Sequence, residues 1–101
     1  MRIMPDEARV RHDERDRRFV LALPEGEAEL AYRLDGKVAE FYHTFVPPEA
    51  RGRGAAEEVC GAAFEHAGQA GWRVIPSCPY VSGTYLKRHP EFLELTQRTS
   101  D

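Results

Sequence analysis

Phe41-Tyr42-His43-Thr44-Phe45-Val46-Pro47-Pro48-Glu49-Ala50-Arg51-Gly52-Arg53-Gly54-Ala55-Ala56 reads as a strand that stops at two prolines and re-enters as a helix through a glycine-rich turn. The strand, Lys37 to Val46, carries Ala39, Phe41 and Phe45 on one face and Val38, Tyr42 and Val46 on the other, the pattern of a strand inside a sheet. Pro47 and Pro48 remove two ladder donors and fix φ, so pairing with a neighbouring strand should fail past Val46 and leave the sheet splayed. The helix begins at Gly54 or Ala55 with no Ser, Thr, Asp or Asn to cap it, so its first N–H groups lack a side-chain acceptor. Those amides, the positive end of the helix dipole and two glycines that admit close backbone approach make an anion site suited to a pyrophosphate, with Arg51 and Arg53 adding charge. The plain alternative is a surface turn whose amides face water.

Downstream, Ala56, Val59, Cys60, Ala63, Phe64 and Ala67 recur at helical spacing from Ala55 to about Gln69, with Glu57, Glu58 and Glu65 on the wet side. Gly71 suits the turn after that helix, and Trp72 to Ile75 predicts a fifth strand, parallel to the fourth by a right-handed crossover. Cys78 or Ser77 caps a second helix with Pro79 in its first turn; it runs to Arg88 or His89 and stops before Pro90. A short last helix over Glu91 to Leu95 is anchored by Phe92 and Leu93.

Upstream, Ala8 to His12 and Arg17 to Leu23 predict two strands around the charged turn Asp13 to Asp16. Ala28, Leu30, Tyr32 and Leu34 alternate through a third strand, and Asp35-Gly36 predicts a type I′ hairpin into the fourth. The fold class is therefore α/β (α+β): a mixed five-stranded sheet, an antiparallel meander of four strands and a parallel fifth, splayed between strands four and five, with two main helices.

At 101 residues the chain fits one domain over 1–101, with 1–7 and 97–101 expected to fray. No stretch approaches a membrane span or a secretion signal, which predicts a soluble cytoplasmic protein. A net charge of -3 with mixed signs offers no attraction to nucleic acid or anionic lipid. Both cysteines, Cys60 and Cys78, should persist as thiols in a reducing compartment, Cys60 on the core face of its helix. Cys60 and His66 form no metal pattern with Cys78 and His43, so no metal is expected.

Arg51-x-x-Gly54-x-Ala56 after the Pro-Pro break resembles the pyrophosphate-binding signature of the GNAT acyltransferases, the superfamily of CoA-dependent N-acetyltransferases. His43-Thr44-Phe45-Val46-Pro47, Ala62-Ala63-Phe64-Glu65-His66-Ala67 and Ile75-Pro76-Ser77-Cys78-Pro79-Tyr80-Val81-Ser82 are similar to the small single-domain GNAT-like proteins of bacteria, plants and animals. The resemblance spans residues 38–92. It implies that the pantetheine arm of acetyl-CoA or CoA enters the splay beside Phe45 and Val46, with its phosphates at Arg51, Gly52, Arg53, Gly54, Ala55 and Ala56. A backbone N–H near Phe45 or Val46 can then polarise the thioester carbonyl.

Cys78 and His43 are the candidate catalytic pair. A thiol beside a helix N-terminus is a nucleophile, and His43 on the adjacent strand can take its proton, so that the acetyl group passes through a thioester on Cys78 to an amine. The cysteine at this place has been suggested as catalytic in similar small members, whereas most GNAT enzymes use direct attack by the amine. Cys78 and His43 also fit as plain core residues. Tyr80 and Tyr85 can protonate the departing thiolate or simply pack, and Lys87-Arg88-His89 can reach the 3′-phosphate of CoA or complement the helix end.

Larger GNAT enzymes carry helices between their first two strands that wall the acceptor pocket, whereas Asp13 to Asp16 leaves room only for a turn. An open acceptor side suits an amine on a protein or peptide. The expected activity is acetyl-CoA-dependent N-acetyl transfer by a monomer or weak dimer. The runner-up is a non-catalytic acyl-CoA-binding or protein-interaction module on the same fold.

Overall fold

The computed structural model describes residues 9–96. Ala8 as the start of the first strand, and the expected fraying of 1–7 and 97–101, lie outside those residues. Five strands, β1 (Val10–Asp13), β2 (Arg18–Leu23), β3 (Gly26–Asp35), β4 (Val38–Phe45) and β5 (Arg73–Ile75), form one sheet in that order. The first three pairings are antiparallel and β4–β5 is parallel. The main helix, α1 (Ala55–Ala70), links β4 to β5. A second, α2 (residues 79–88), opens with residues 79–80 and joins a π-helical turn, Val81–Tyr85, to an α-helical one, Leu86–Arg88. The sequence pattern does not distinguish that π turn from ordinary α-helix.

The core lies between one sheet face and α1. Alternation along the strands presents Phe19, Leu21, Ala28, Leu30, Tyr32, Ala39 and Phe41, all buried, to Val59, Cys60, Ala63, Phe64 and Ala67 of the helix. Phe64 is fully buried with its ring centroid 5.1 Å from that of Phe41, and truncating such a side chain to alanine costs about 3–5 kcal/mol. The helix ends where Gly71 turns left-handed, φ 74°, and Trp72 N–H closes a Schellman motif on Ala67 C=O at 2.9 Å. That closure aims the chain into β5 alongside β4.

Two turns differ from expectation. The β3–β4 hairpin turns on Gly36 and Lys37, one residue later than Asp35-Gly36, and Gly36 alone has positive φ, 63°. Positive φ at only the first central residue belongs to a type II′ turn, so type I′ is corrected. The second difference is the splay. The β4–β5 ladder holds Val38↔Arg73, Ala39↔Val74 and Glu40↔Ile75 and then stops, with one further link from Cys78 N–H to Phe41 C=O, 3.0 Å. The strands thus part after Phe41 rather than past Val46. The cause lies on β5: Pro76 has no N–H to donate, and Ser77 N–H turns back onto Ile75 C=O at 3.0 Å. Pro47 and Pro48 act afterwards, bending the chain away from the sheet into a 3₁₀ turn, Pro48–Ala50.

Candidate functional site

A cleft of about 510 Å³ opens where β4 and β5 have separated. One wall is the end of β4, with Thr44, Phe45 and Val46; the second is the turn into α1; the third, from the two ends of α2, supplies Tyr80 and Arg88. The size falls within the range of small-molecule and cofactor sites.

The turn wall is built from backbone. Gly52 and Gly54 both adopt φ 85°, in the left-handed region that excludes ordinary side chains, and α1 starts with no side-chain cap. Its first internal hydrogen bond runs from Glu58 N–H to Gly54 C=O, 3.0 Å, so the amides of Ala55, Ala56 and Glu57 precede the helical ladder. Arg51, Gly52, Gly54, Ala55 and Ala56 all line the cleft. Arg51 folds back, Nε donating to Val46 C=O at 3.1 Å, which ties the turn to the strand end.

Arg53 does not share that direction. Its guanidinium donates to Glu25 Oε2 at 2.6 Å and to Glu49 C=O at 3.4 Å, bracing the turn against the β2–β3 loop outside the cleft lining. The hydrogen bond from Arg53 holds the Glu25 carboxyl below the usual carboxylate range. The alternating glycines send the two arginines different ways. A motif count of positive charge cannot register that.

Cys78 and His43 are likewise separated, for a reason in β4. Ala31 faces His43 and Tyr32 faces Phe41, so Tyr42 is an extra residue in the strand, a β-bulge that reverses the alternation beyond it. His43, paired with Ala31, is exposed on the face away from α1, together with Phe45. Thr44, opposite the buried Leu30, takes the inner face instead. Its Oγ1 lies 3.5 Å from Cys78 Sγ. The expected contact of His43 with Cys78 is therefore corrected to Thr44. Thr44 lines the cleft, while Cys78, 5% exposed, does not. Cys78 occupies the cap position of the following helix, its C=O accepting Ser82 N–H at 3.0 Å and Ser82 Oγ at 3.3 Å.

The tyrosines also divide. Tyr80 lines the cleft, and burial, followed by the proximity of Cys60 and Glu57, raises its phenol above the ordinary value, so it holds its proton. Tyr85 is buried in the core, stacked on Phe64 at 5.5 Å and on His89 at 4.4 Å, away from the cleft. Cys60 is a core residue whose thiol is pushed far up, first by burial. Among the described residues no cluster of three or more His, Cys, Asp or Glu side chains is placed to hold a metal, and no helix is long and apolar enough to cross a membrane.

The family model for GCN5-related N-acetyl-transferases matches residues 18–95, from the start of β2 to the end of a 3₁₀ turn, Pro90–Leu95. The chain belongs to the GCN5-related N-acetyltransferase family. Protein NATD1 of human and of cattle is 34% identical over 94 residues, spanning 88% of this chain and 82% of the relative. The mouse protein of that name is 33% identical, spanning 88% of this chain and 84% of its own. A GCN5-like protein of Staphylococcus aureus, solved in solution by NMR, superposes with a TM-score of 0.63 over 93% of this chain and 91% of that one. At 20% identity it speaks for the fold. Membership of the GCN5-related family places the chain in the acetyltransferase class, whose members generally use acetyl-CoA.

Proposed function

We propose that this GCN5-related protein transfers an acetyl group from acetyl-CoA to an amine carried on a protein or peptide. The observation that carries the reading is the uncapped amide turn at residues 52–57, continuous with the gap left where β5 turns away from β4. Two left-handed glycines let a diphosphate approach those amides, and Arg51 supplies a cation beside them. Beyond Phe41, residues 42–45 of β4 have no ladder partner on the β5 side among the described residues, which suits an extended amide-bearing arm. The chain thus fits CoA by its phosphates and its pantetheine; acetyl-CoA would supply the activated acyl group.

Each residue then has an assigned task. A backbone N–H of Phe45 or Val46 stabilises negative charge on the acyl oxygen, and protonated Tyr80 supplies the proton that the leaving thiolate needs. The covalent form of this transfer runs through Cys78. Its thiol attacks the acyl carbon, the carbon–sulfur bond to CoA breaks and CoA leaves as the thiol with the proton that Cys78 gives up; the acceptor amine then displaces Cys78 to form the amide, its proton returning to the Cys78 sulfur. Thr44 stands in the place first given to His43 for orienting that sulfur. The acceptor class is our reading of the β1–β2 connection, a turn over residues 14–17 with no helix in it, which supports an open acceptor side.

The test is CoA release from acetyl-CoA against a panel of amines and peptides. Turnover with a peptide amine supports the reading. Binding of acetyl-CoA without turnover on any acceptor replaces it with the non-catalytic acyl-CoA module. An acetyl adduct on Cys78 in a single turnover, lost in Cys78→Ala, selects the covalent route; a bare thiol selects direct attack.

A further inference from the structure

We infer that Arg88 is the residue by which the cleft recognises the 3′-phosphate of CoA, an inference that rests on the acetyl-CoA reading above. The turn amides and Arg51 occupy one side of the helix start. Arg88 lines the same cleft from the end of α2. Its neighbours in the Lys87-Arg88-His89 cluster do not line the cleft: Lys87 is exposed elsewhere, and His89 packs its ring on Tyr85 at 4.4 Å. Of the three, Arg88 alone is available to a ligand in the cleft.

Glu57 fixes where that charge sits. It is in the first turn of α1 and lines the cleft, where a free carboxylate would repel a phosphate. Its two oxygens are engaged. Oε1 lies 3.3 Å from Arg88 Nη1 and Oε2 lies 2.5 Å from His89 Nε2. That hydrogen bond to His89 is the main cause of the depressed Glu57 carboxyl, with Arg88 adding to it. One guanidinium N–H meets Glu57 and, among the described residues, no other hydrogen-bond partner takes the remaining donors, which form the planar fork that suits a phosphate monoester. The cleft therefore presents two separate anion-binding elements, amides with Arg51 for a diphosphate and Arg88 for a second group. CoA carries both groups, whereas 3′-dephospho-CoA carries only the diphosphate.

The experiment is calorimetric titration of the full chain with CoA and with 3′-dephospho-CoA. Wild type should bind CoA about tenfold tighter, the size of one charge-assisted contact at a partly exposed site. Arg88→Ala should bring the affinity for CoA down to that for 3′-dephospho-CoA while leaving the latter unchanged, and Lys87→Ala should change neither. Arg88→Gln serves the same reading if the alanine variant does not fold. Equal affinities in wild type, or an equal loss for both ligands in the variant, overturn the inference and leave the cleft reading standing. Failure of wild type to bind either ligand overturns the cleft reading and this inference with it.

Discussion

Thr44 Oγ1 meets Cys78 Sγ at 3.5 Å because Tyr42 is inserted into β4 opposite a single step of β3. A threonine hydroxyl can accept from the thiol or donate to the sulfur, so it can orient Cys78 in either state. Under covalent transfer, Thr44→Val, which keeps the shape and removes the hydroxyl, should lower turnover by about tenfold, one hydrogen bond's worth. Affinity for CoA should stay the same. Cys78→Ala and Thr44→Val should not add in a double-mutant cycle read by steady-state rate. Full additivity would show that the two side chains act separately.

His43 supplies the contrast. It is exposed on the opposite sheet face, so His43→Ala should leave turnover within about twofold of wild type. A large loss in the same assay would return His43 to the chemistry.

The glycines of the turn give a prediction about backbone. A Cβ at Gly52 or Gly54 would meet nothing within 4 Å, yet both have φ 85°. Gly52→Ala and Gly54→Ala should therefore each cost about 1–2 kcal/mol from left-handed strain alone, read by urea unfolding. The same variants should weaken CoA binding by tilting the amides away from it. Gly83→Ala, at a glycine with equally open surroundings but no positive φ, is the control that separates strain from crowding.

Arg51 and Arg53 should respond differently. Arg51→Ala removes a cation from the cleft and should reduce CoA affinity with a flatter salt dependence. Arg53→Ala breaks the exposed contact to Glu25 and should leave that affinity within about twofold. Titration at two salt concentrations checks both.

Acid stability should carry two separate steps. His12 hydrogen-bonds Tyr32 Oη at 2.6 Å and meets the ring of His66 edge-on at 4.4 Å. Burial first, and His66 second, lower its pKa from the ordinary 6.5, while Glu14 and Asp13 pull the other way. The unfolded chain thus binds the proton at higher pH than the folded one. Stability from this group is complete above pH 6.5, falls as pH drops below it, and levels off beneath the folded value. Each unit of depression is worth about 1.4 kcal/mol. Glu57, depressed from 4.5, contributes a loss that begins only below that value. Melting temperatures of His12→Gln across pH 7 to 3 should lose the upper step and keep the lower one.

Element order, the parallel fifth strand and the uncapped helix were legible because each has a local cause: alternation along β3, Gly71 after α1, and the lack of a capping side chain at Gly54. The inner partner of Cys78 was not. Phe41, Tyr42 and Phe45 place aromatic weight on both parities of β4, so the pattern gives no sign of where the alternation reverses. The bulge depends on pairing with β3, a property of two strands. Arg88 was visible as one of three cations at a helix end, but its selection over Lys87 depends on helix rotation and on Glu57 more than 30 residues away. Arg53 misled for the same reason, since Glu25, its partner, lies across the sheet in another loop.

The early departure of β5 has a consequence for the protein without its ligand. Residues 42–45 of β4 expose peptide hydrogen-bonding groups along an unmatched seam, flanked by Tyr42 and Phe45, 37% and 42% accessible to solvent. Bare strand margins of this kind recruit strands from other molecules. A pantetheine lying there would act as a surrogate sixth strand, so under the proposed function the ligand that serves the chemistry would also shield the fold from adhesion to its own copies.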